Sequence, residues 1–246
     1  MGSYRGYLVY LGAMKFPDPL IPGRLSRRYK RFLADVELEN GEIVVAHCAN
    51  PGSMLGLADP GSEVWLSPSR NPARKLKYSW ELIAVDGHLV GINTSHPNGI
   101  VEEAIRAGSI AELTGYAGLR REVRYGRNSR IDLLLEDENR PPCYVEVKNV
   151  HLKRKPEAAE FPDSVTARGT KHLIELAEAA EAGARSVMLY LVQRGDCDRL
   201  EIAADIDPVY DRTLREAMGR GVEALCYSCN VGRETIEVDR RLPLAM

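Results

Sequence analysis

Apolar and polar positions alternate along much of the first third of the chain. Residues 33–39 read Leu-Ala-Asp-Val-Glu-Leu-Glu, residues 42–48 read Glu-Ile-Val-Val-Ala-His-Cys, and Asn40-Gly41 separates them. A period of two puts successive side chains on opposite faces of a strand. An Asn-Gly between two such runs predicts a hairpin, because both residues of its tight turn need positive φ. Further strands are predicted over residues 63–67, 80–85 and 88–93, divided by the turn clusters Asn50-Pro51-Gly52-Ser53 and Asp59-Pro60-Gly61-Ser62. The run Tyr7-Leu8-Val9-Tyr10-Leu11 adds an N-terminal strand.

From about residue 94 the period lengthens. Residues 100–113 predict a helix with Ile100, Val101, Ala104 and Ile105 on one side. Strands follow over 119–125, 129–135 and 143–149, the last two joined by the turn-rich Asp137-Glu138-Asn139-Arg140-Pro141-Pro142. A long helix is predicted over 164–182, with Ser164 as its N-cap, a stripe of Leu173, Leu176, Ala177 and Ala180, and Gly183 as its stop. Residues 186–192 are uniformly apolar, the mark of a strand covered on both faces. A helix over 208–218 and a strand over 222–229 complete an order of α-β-β-β-α-β, then α-β. The expected fold is mixed α+β and α/β. A small barrel of the oligonucleotide-binding (OB) type, or another small all-β module, occupies residues 1–86, and an α/β domain with a central mixed sheet occupies residues 87–246.

Charge and cysteine content narrow the function classes. The 246 residues carry a net charge of −2, so polyanion binding has to rest on local basic clusters rather than on a global field. No apolar run approaches the roughly 18 residues of a membrane span. The five cysteines are scattered and odd in number, which suits a reducing cytosol better than a disulfide framework. Cys226-Tyr227-Ser228-Cys229 has metal-ligand spacing, but it lacks a second pair and reads as part of a buried strand.

The segment Arg130-Ile131-Asp132-Leu133-Leu134-Leu135 and its partner Cys143-Tyr144-Val145-Glu146-Val147-Lys148-Asn149 stand out, because charged groups rarely sit inside apolar strands. Glu146 and Lys148 share a face, and Asp132 on the neighbouring strand brings a second carboxylate to them. Such a group suits a hard divalent cation, Mg²⁺ or Mn²⁺, held by Asp132, Glu146 and the backbone carbonyl of Val147 beside a phosphodiester. Lys148 would then orient the attacking water and offset developing negative charge. Glu103, preferred over Glu102 on the helical wheel, is a further acidic candidate, and Gln193 at the end of its strand is another. The competing view is a structural ion-pair network.

Two basic clusters lie in the first third. Arg24-Leu25-Ser26-Arg27-Arg28-Tyr29-Lys30-Arg31-Phe32 interleaves cations and aromatics, as do Arg70, Arg74, Lys75, Lys77, Tyr78 and Trp80. That mixture suits phosphate contact with base stacking, and Arg27, Arg28, Lys30 and Arg31 are the candidates carried forward. Arg168 and Lys171 fall in the first turns of the long helix, where phosphate is favoured; His172 beside them reads as structural. Lys153, Arg154 and Lys155 read as a solvated loop run.

The acidic-lysine hairpin in this element order resembles the PD-(D/E)xK nuclease core, although Ile131 stands where a proline is usual. More widely, Arg28-Tyr29-Lys30-Arg31-Phe32-Leu33-Ala34-Asp35-Val36, His47-Cys48-Ala49-Asn50-Pro51-Gly52-Ser53-Met54, Ser129-Arg130-Ile131-Asp132, Tyr144-Val145-Glu146-Val147-Lys148-Asn149-Val150 and the block from Phe161 to Leu173 resemble the sugar fermentation stimulation protein A family. The resemblance implies an OB-type barrel joined to a PD-(D/E)xK-like domain. It also implies DNA binding without strong sequence preference and a regulatory link to sugar (maltose) metabolism; the basic clusters themselves fit RNA as well as DNA. The expected protein is cytoplasmic, has no membrane partner, and is compatible with a homodimer.

Overall fold

The computed structural model describes residues 12–126 and 129–246, so the strand expected over residues 7–11 lies outside the described residues. After a short strand β1 (Ala13–Lys15), the strands β2 (Ile21–Tyr29), β3 (Leu33–Leu38), β4 (Ile43–Cys48), β5 (Glu63–Pro68), β6 (Tyr78–Val85) and β7 (His88–Gly91) form one sheet, ordered β4-β3-β2-β5-β6-β7. A parallel pairing of β4 with β6 closes strands β2 to β6 into a five-stranded barrel of the OB type. The alternation that predicted β3 and β4 sends Ala34, Val36, Val44, Ala46 and Cys48 inward around the fully buried Trp80. The indole N–H donates to the Leu82 carbonyl, 2.9 Å away.

The β3–β4 hairpin differs from the expected two-residue turn. Only Gly41 has positive φ, at +82°. Its N–H donates to the Leu38 carbonyl (2.9 Å), and the Leu38 N–H donates to the Glu42 carbonyl (2.9 Å). The loop is therefore a turn followed by a left-handed glycine, a common three-residue alternative. Strand β7 extends the same sheet beyond the closed barrel by pairing antiparallel with β6.

The rest of the chain contains α1 (Pro97–Arg106), β8 (Gly118–Tyr125), β9 (Ser129–Asp137), β10 (Arg140–Val150), β11 (Leu152–Lys155), β12 (Ala158–Phe161), α2 (Ala167–Glu181), β13 (Arg185–Val192), β14 (Arg199–Ile202), α3 (Pro208–Gly219), β15 (Val222–Val231), β16 (Thr235–Arg241) and β17 (Leu244–Ala245). The main sheet is ordered β1-β16-β15-β13-β10-β9-β8, parallel across β10, β13 and β15 and antiparallel elsewhere. Strands β11, β12, β14 and β17 make a small second sheet. Helix α1 starts three residues earlier than expected and stops at Arg106, because Gly108 takes φ +77°. Helix α2 is capped by Thr166, whose hydroxyl accepts from the Gly169 N–H (3.1 Å), so it begins at Ala167 rather than beside Ser164.

Both faces of the sheet are covered, as the apolar run in β13 required. On one face Leu133, Val145, Leu189 and Leu191 pack with Ile100, Val101 and Ala104 of α1 and with Trp65 and Leu82 of the barrel. On the other, Met188 and Tyr190 pack with Leu173 and Leu176 of α2 and with Tyr210 and Leu214 of α3. All five cysteines are buried and unpaired, Cys226 and Cys229 among them. Among the described residues no helix is long and apolar enough to cross a membrane.

The barrel and the sheet are fastened by polar groups as well as by this shared core. Gly91 donates its N–H to the Gln193 carbonyl (2.9 Å), and Ser53 donates its hydroxyl to the Asp163 carbonyl (2.8 Å). Glu81, buried on β6, accepts from Ser67 (2.5 Å) and Asn93 (2.7 Å) and pairs with His96 (2.7 Å) at the start of α1. Burial pushes the Glu81 carboxyl up, but these contacts together outweigh it and hold the group below its ordinary value. A carboxylate lowered in the folded state adds stability above its unfolded pKa and loses it as pH falls through the folded value. Glu81→Gln should therefore lower stability by about 1–3 kcal/mol at neutral pH. In urea titrations the gap to wild type should narrow as pH falls below about 4.3; a constant gap would contradict this account.

Candidate functional site

Strands β9 and β10 pair from Arg140 opposite Asp137 to Val145 opposite Leu133, and no further. Beyond that point Asp132 occupies the gap, and its carboxylate takes over as the partner of the β10 backbone. Oδ2 accepts the Val147 N–H at 2.8 Å, and Oδ1 accepts from the Asn98 side chain of α1, also at 2.8 Å. The N–H and carbonyl of a residue in an extended strand point to the same side, so the Val147 carbonyl is directed toward this gap too. Burial and the neighbouring Glu146 charge raise the Asp132 carboxyl above its ordinary value, against the pull of its two donors.

Glu146 lies on the α2 side of the sheet and is almost fully buried. Its Oε1 accepts from Lys148 Nζ (2.8 Å) and is in contact with His172 Nδ1. Lys148 Nζ is itself 3.4 Å from His172 Nδ1, and Arg168 Nε lies 3.4 Å from His172 Nε2. Burial pushes Glu146 up, and the His172 and Lys148 contacts together bring it below its ordinary value. Its second oxygen, Oε2, is buried with no hydrogen-bond partner. Among the described residues no three His, Cys, Asp or Glu side chains form a ready-made ion-holding group. The donors at hand are two carboxylates and a backbone carbonyl, all oxygen, which is the set a hard divalent cation takes.

The structure thus brings together Asp132, Glu146, Lys148 and the Val147 backbone. Glu103 is not brought to them: it is exposed, off the buried stripe of α1, while Glu102 pairs with Arg106 (2.8 Å) and Arg121 (3.6 Å). What α1 does contribute is Asn98. Gln193 continues the Leu189–Leu191 row on the opposite face from Glu146 and donates to Asn149 Oδ1 (2.7 Å) beside the barrel. His172, read as structural, is instead the partner of Glu146. Its i+4 spacing from Arg168, on the stripe with Leu173 and Leu176, was the available signal.

The basic residues separate by what they touch. Arg28 is an internal brace, donating to the carbonyls of Asn50 (2.9 Å), Gly52 (3.0 Å) and Ser53 (3.4 Å). Arg27 pairs with Asp35 (2.7 Å) and lies over the Tyr29 ring, 4.8 Å from its centroid. Lys30 and Arg31 form the exposed β2–β3 turn, with φ of 47° and 64°. Next to them the exposed Phe32 ring stacks on His47, with centroids 6.5 Å apart. In the second cluster Arg70 pairs with Asp18 (2.7 Å), and Trp80 is in the barrel core, unable to stack on a base. Lys153, Arg154 and Lys155 lie on β11 rather than in a loop, paired with Asp196, Glu160 and Glu201. Lys171 is half exposed, 3.6 Å from Glu175.

A closed OB-type barrel packed on an α/β domain, with two carboxylates and a lysine where the central strands part, defines a two-domain class of protein. Residues 27–92 match the family model described as the SfsA N-terminal OB domain, and residues 95–235 match that of the sugar fermentation stimulation protein RE domain. The chain belongs to the sugar fermentation stimulation protein family. It is 62% identical over 233 residues to a sugar fermentation stimulation protein homolog of Paramagnetospirillum magneticum, covering 95% of this chain and 98% of that one. It is 60% identical over 227 residues to a homolog of Maricaulis maris, covering 92% and 97%. Among solved structures it is similar to Pyrococcus furiosus SfsA in complex with Ca²⁺, with a TM-score of 0.84, 27% identity, and 95% and 100% of the two chains covered.

His172→Ala leaves Glu146 buried without one of its two partners. Removing one member of a buried pair costs about 3–5 kcal/mol, so the chemical denaturation midpoint of the metal-free variant should fall accordingly. A loss under about 0.5 kcal/mol, the size of an ordinary surface substitution, would show that His172 does not support Glu146.

Proposed function

We propose that this protein binds DNA and hydrolyses phosphodiester bonds at a metal-dependent, nuclease-type site, with Asp132 and Glu146 as the metal carboxylates. The observation that carries the reading is the free oxygen of Glu146, buried and without a donor. An acceptor left so is costly, and a cation relieves it. The all-oxygen donors match Mg²⁺ or Mn²⁺, and a relative's structure in complex with Ca²⁺ supports a hard cation here. When bound, such an ion supplies Lewis acidity to the phosphate and lowers the pKa of a water.

The chain's own groups do the remaining work. Val147 N–H and Asn98 fix the Asp132 carboxylate, and His172 and Lys148 hold one oxygen of Glu146, leaving the other for the ion. The Lys148 ammonium, donating to Glu146 Oε1, offsets negative charge on the phosphate. Arg168, in the first turn of α2, adds a cation where a helix N-terminus already favours phosphate. Five buried, reduced cysteines accord with a cytoplasmic setting.

A second reading, a non-catalytic and non-sequence-specific DNA-binding regulator of sugar (maltose) metabolism, draws support from the exposed Phe32–His47 stack beside Lys30 and Arg31. Bases can stack there and phosphates can pair, with no need for chemistry.

DNA and RNA of several structures should be incubated with Mg²⁺ or Mn²⁺ and with wild type, Asp132→Asn, Glu146→Gln and Lys148→Ala. Cleavage should fall at least about 100-fold in each variant. No cleavage by wild type on any substrate would remove the enzyme reading, and equal cleavage by all would reveal a contaminant. Lys30→Glu/Arg31→Glu/Phe32→Ala should weaken DNA binding about tenfold or more and flatten its salt dependence; unchanged affinity would count against both readings.

A further inference from the structure

Beside the proposed Asp132–Glu146 site lies a second set of buried oxygens with nothing to hold. Both carboxylate oxygens of Glu175 are buried without a hydrogen-bond partner, and so is the hydroxyl of Tyr125. Glu175 is only 5% exposed, and among the described residues its ionic neighbour is the half-exposed Lys171 at 3.6 Å. Glu146 Oε2 is a further orphan on this side of the sheet.

The fold puts these groups together. His172 and Glu175 stand one turn apart on the sheet-facing side of α2, and His172 already touches Glu146. Tyr125, at the end of β8, stacks on Tyr144 with centroids 5.4 Å apart, and Tyr144 shares the α2-facing side of β10 with Glu146. Glu175 reaches the same turn: a Cβ at Gly126 would stand 3.2 Å from its Oε1. A cleft of about 440 Å³ is lined by Tyr125 with Arg124, Gly126, Ser129 and Arg130.

We propose that Glu175 and the free oxygen of Glu146 hold a second divalent cation, with the Tyr125 hydroxyl bonded to one of its waters. Two carboxylates neutralise the ion's charge, and a neutral phenol is a donor and acceptor suited to the water that Mg²⁺ or Mn²⁺ retains. The position lies on the α2 side of Glu146, whereas Asp132 sits in the gap between strands, so the carboxylate of Glu146 can serve both. The proposal shares Glu146 with the nuclease reading but requires neither Asp132 nor any catalysis.

Counting bound Mn²⁺ on the full chain, by calorimetry and by electron paramagnetic resonance, tests it. Wild type should bind two ions, Glu175→Gln one, Asp132→Asn one, and the double variant none. Two ions retained by Glu175→Gln overturn the second position and leave the Asp132 reading intact. Two ions retained by Asp132→Asn with one lost in Glu175→Gln sink the Asp132 reading and leave this proposal standing. Metal-free Glu175→Gln should melt at or above wild type, since a buried charge has gone, and should gain less on Mn²⁺ addition. An equal Mn²⁺ gain in both proteins would overturn the proposal. Tyr125→Phe gives up no hydrogen bond, so it should fold as wild type does, and it should weaken one of the two ions about tenfold. Unchanged affinity in that variant would remove Tyr125 from the site.

Discussion

A carboxylate buried between a sheet and a helix sets the terms for this domain. Glu146 sits on the central sheet where apolar strands and α2 close over it, and an unpaired charge there would cost several kcal/mol. His172 and Lys148 answer one of its oxygens. The other has no donor. Around this point the usual order of a core is reversed, with acids, a lysine and a histidine packed among leucines and tyrosines. A protein keeps such an arrangement at a cost to stability, and sites of that kind are where function concentrates.

The barrel is tied to this site through a short chain of contacts. Glu81 in the barrel holds His96, His96 opens α1, and Asn98 two residues later donates to Asp132. One end of α1 is thereby fixed to the barrel while its first turn orients a carboxylate of the α/β domain. The shared core, in which Trp65 and Leu82 pack with residues of the sheet, makes that link stiff.

The barrel's cations do two kinds of work. Arg28 is spent inside, bracing the Asn50–Ser53 loop that docks against Asp163. Lys30 and Arg31 occupy a turn whose left-handed backbone disfavours both residues. That turn holds them at the surface with an exposed Phe32 beside them. Neighbours in sequence, these residues have little else in common.

Period-two alternation in residues 33–48 and the uniformly apolar 186–192 were enough to read the barrel strands and a doubly covered β13, because burial on one face or both leaves a direct trace in residue type. The pairing of Glu146 with Lys148, and the place of Asp132 on the strand beside them, were legible for the same reason: charges inside apolar strands are rare, and alternation says which residues of one strand share a side. Glu103, Gln193 and His172 were not legible in this way. A helical wheel gives the direction of a side chain but not which neighbour lies there, and strand alternation ends where β13 ends. Only the packing of α1 and α2 onto opposite faces brought Asn98 and His172 to the two acids and turned Glu103 to water. Sequence by itself determined which residues must be buried. Tertiary structure decided which buried charges meet, since the partner of a charge depends on contacts between elements far apart along the chain.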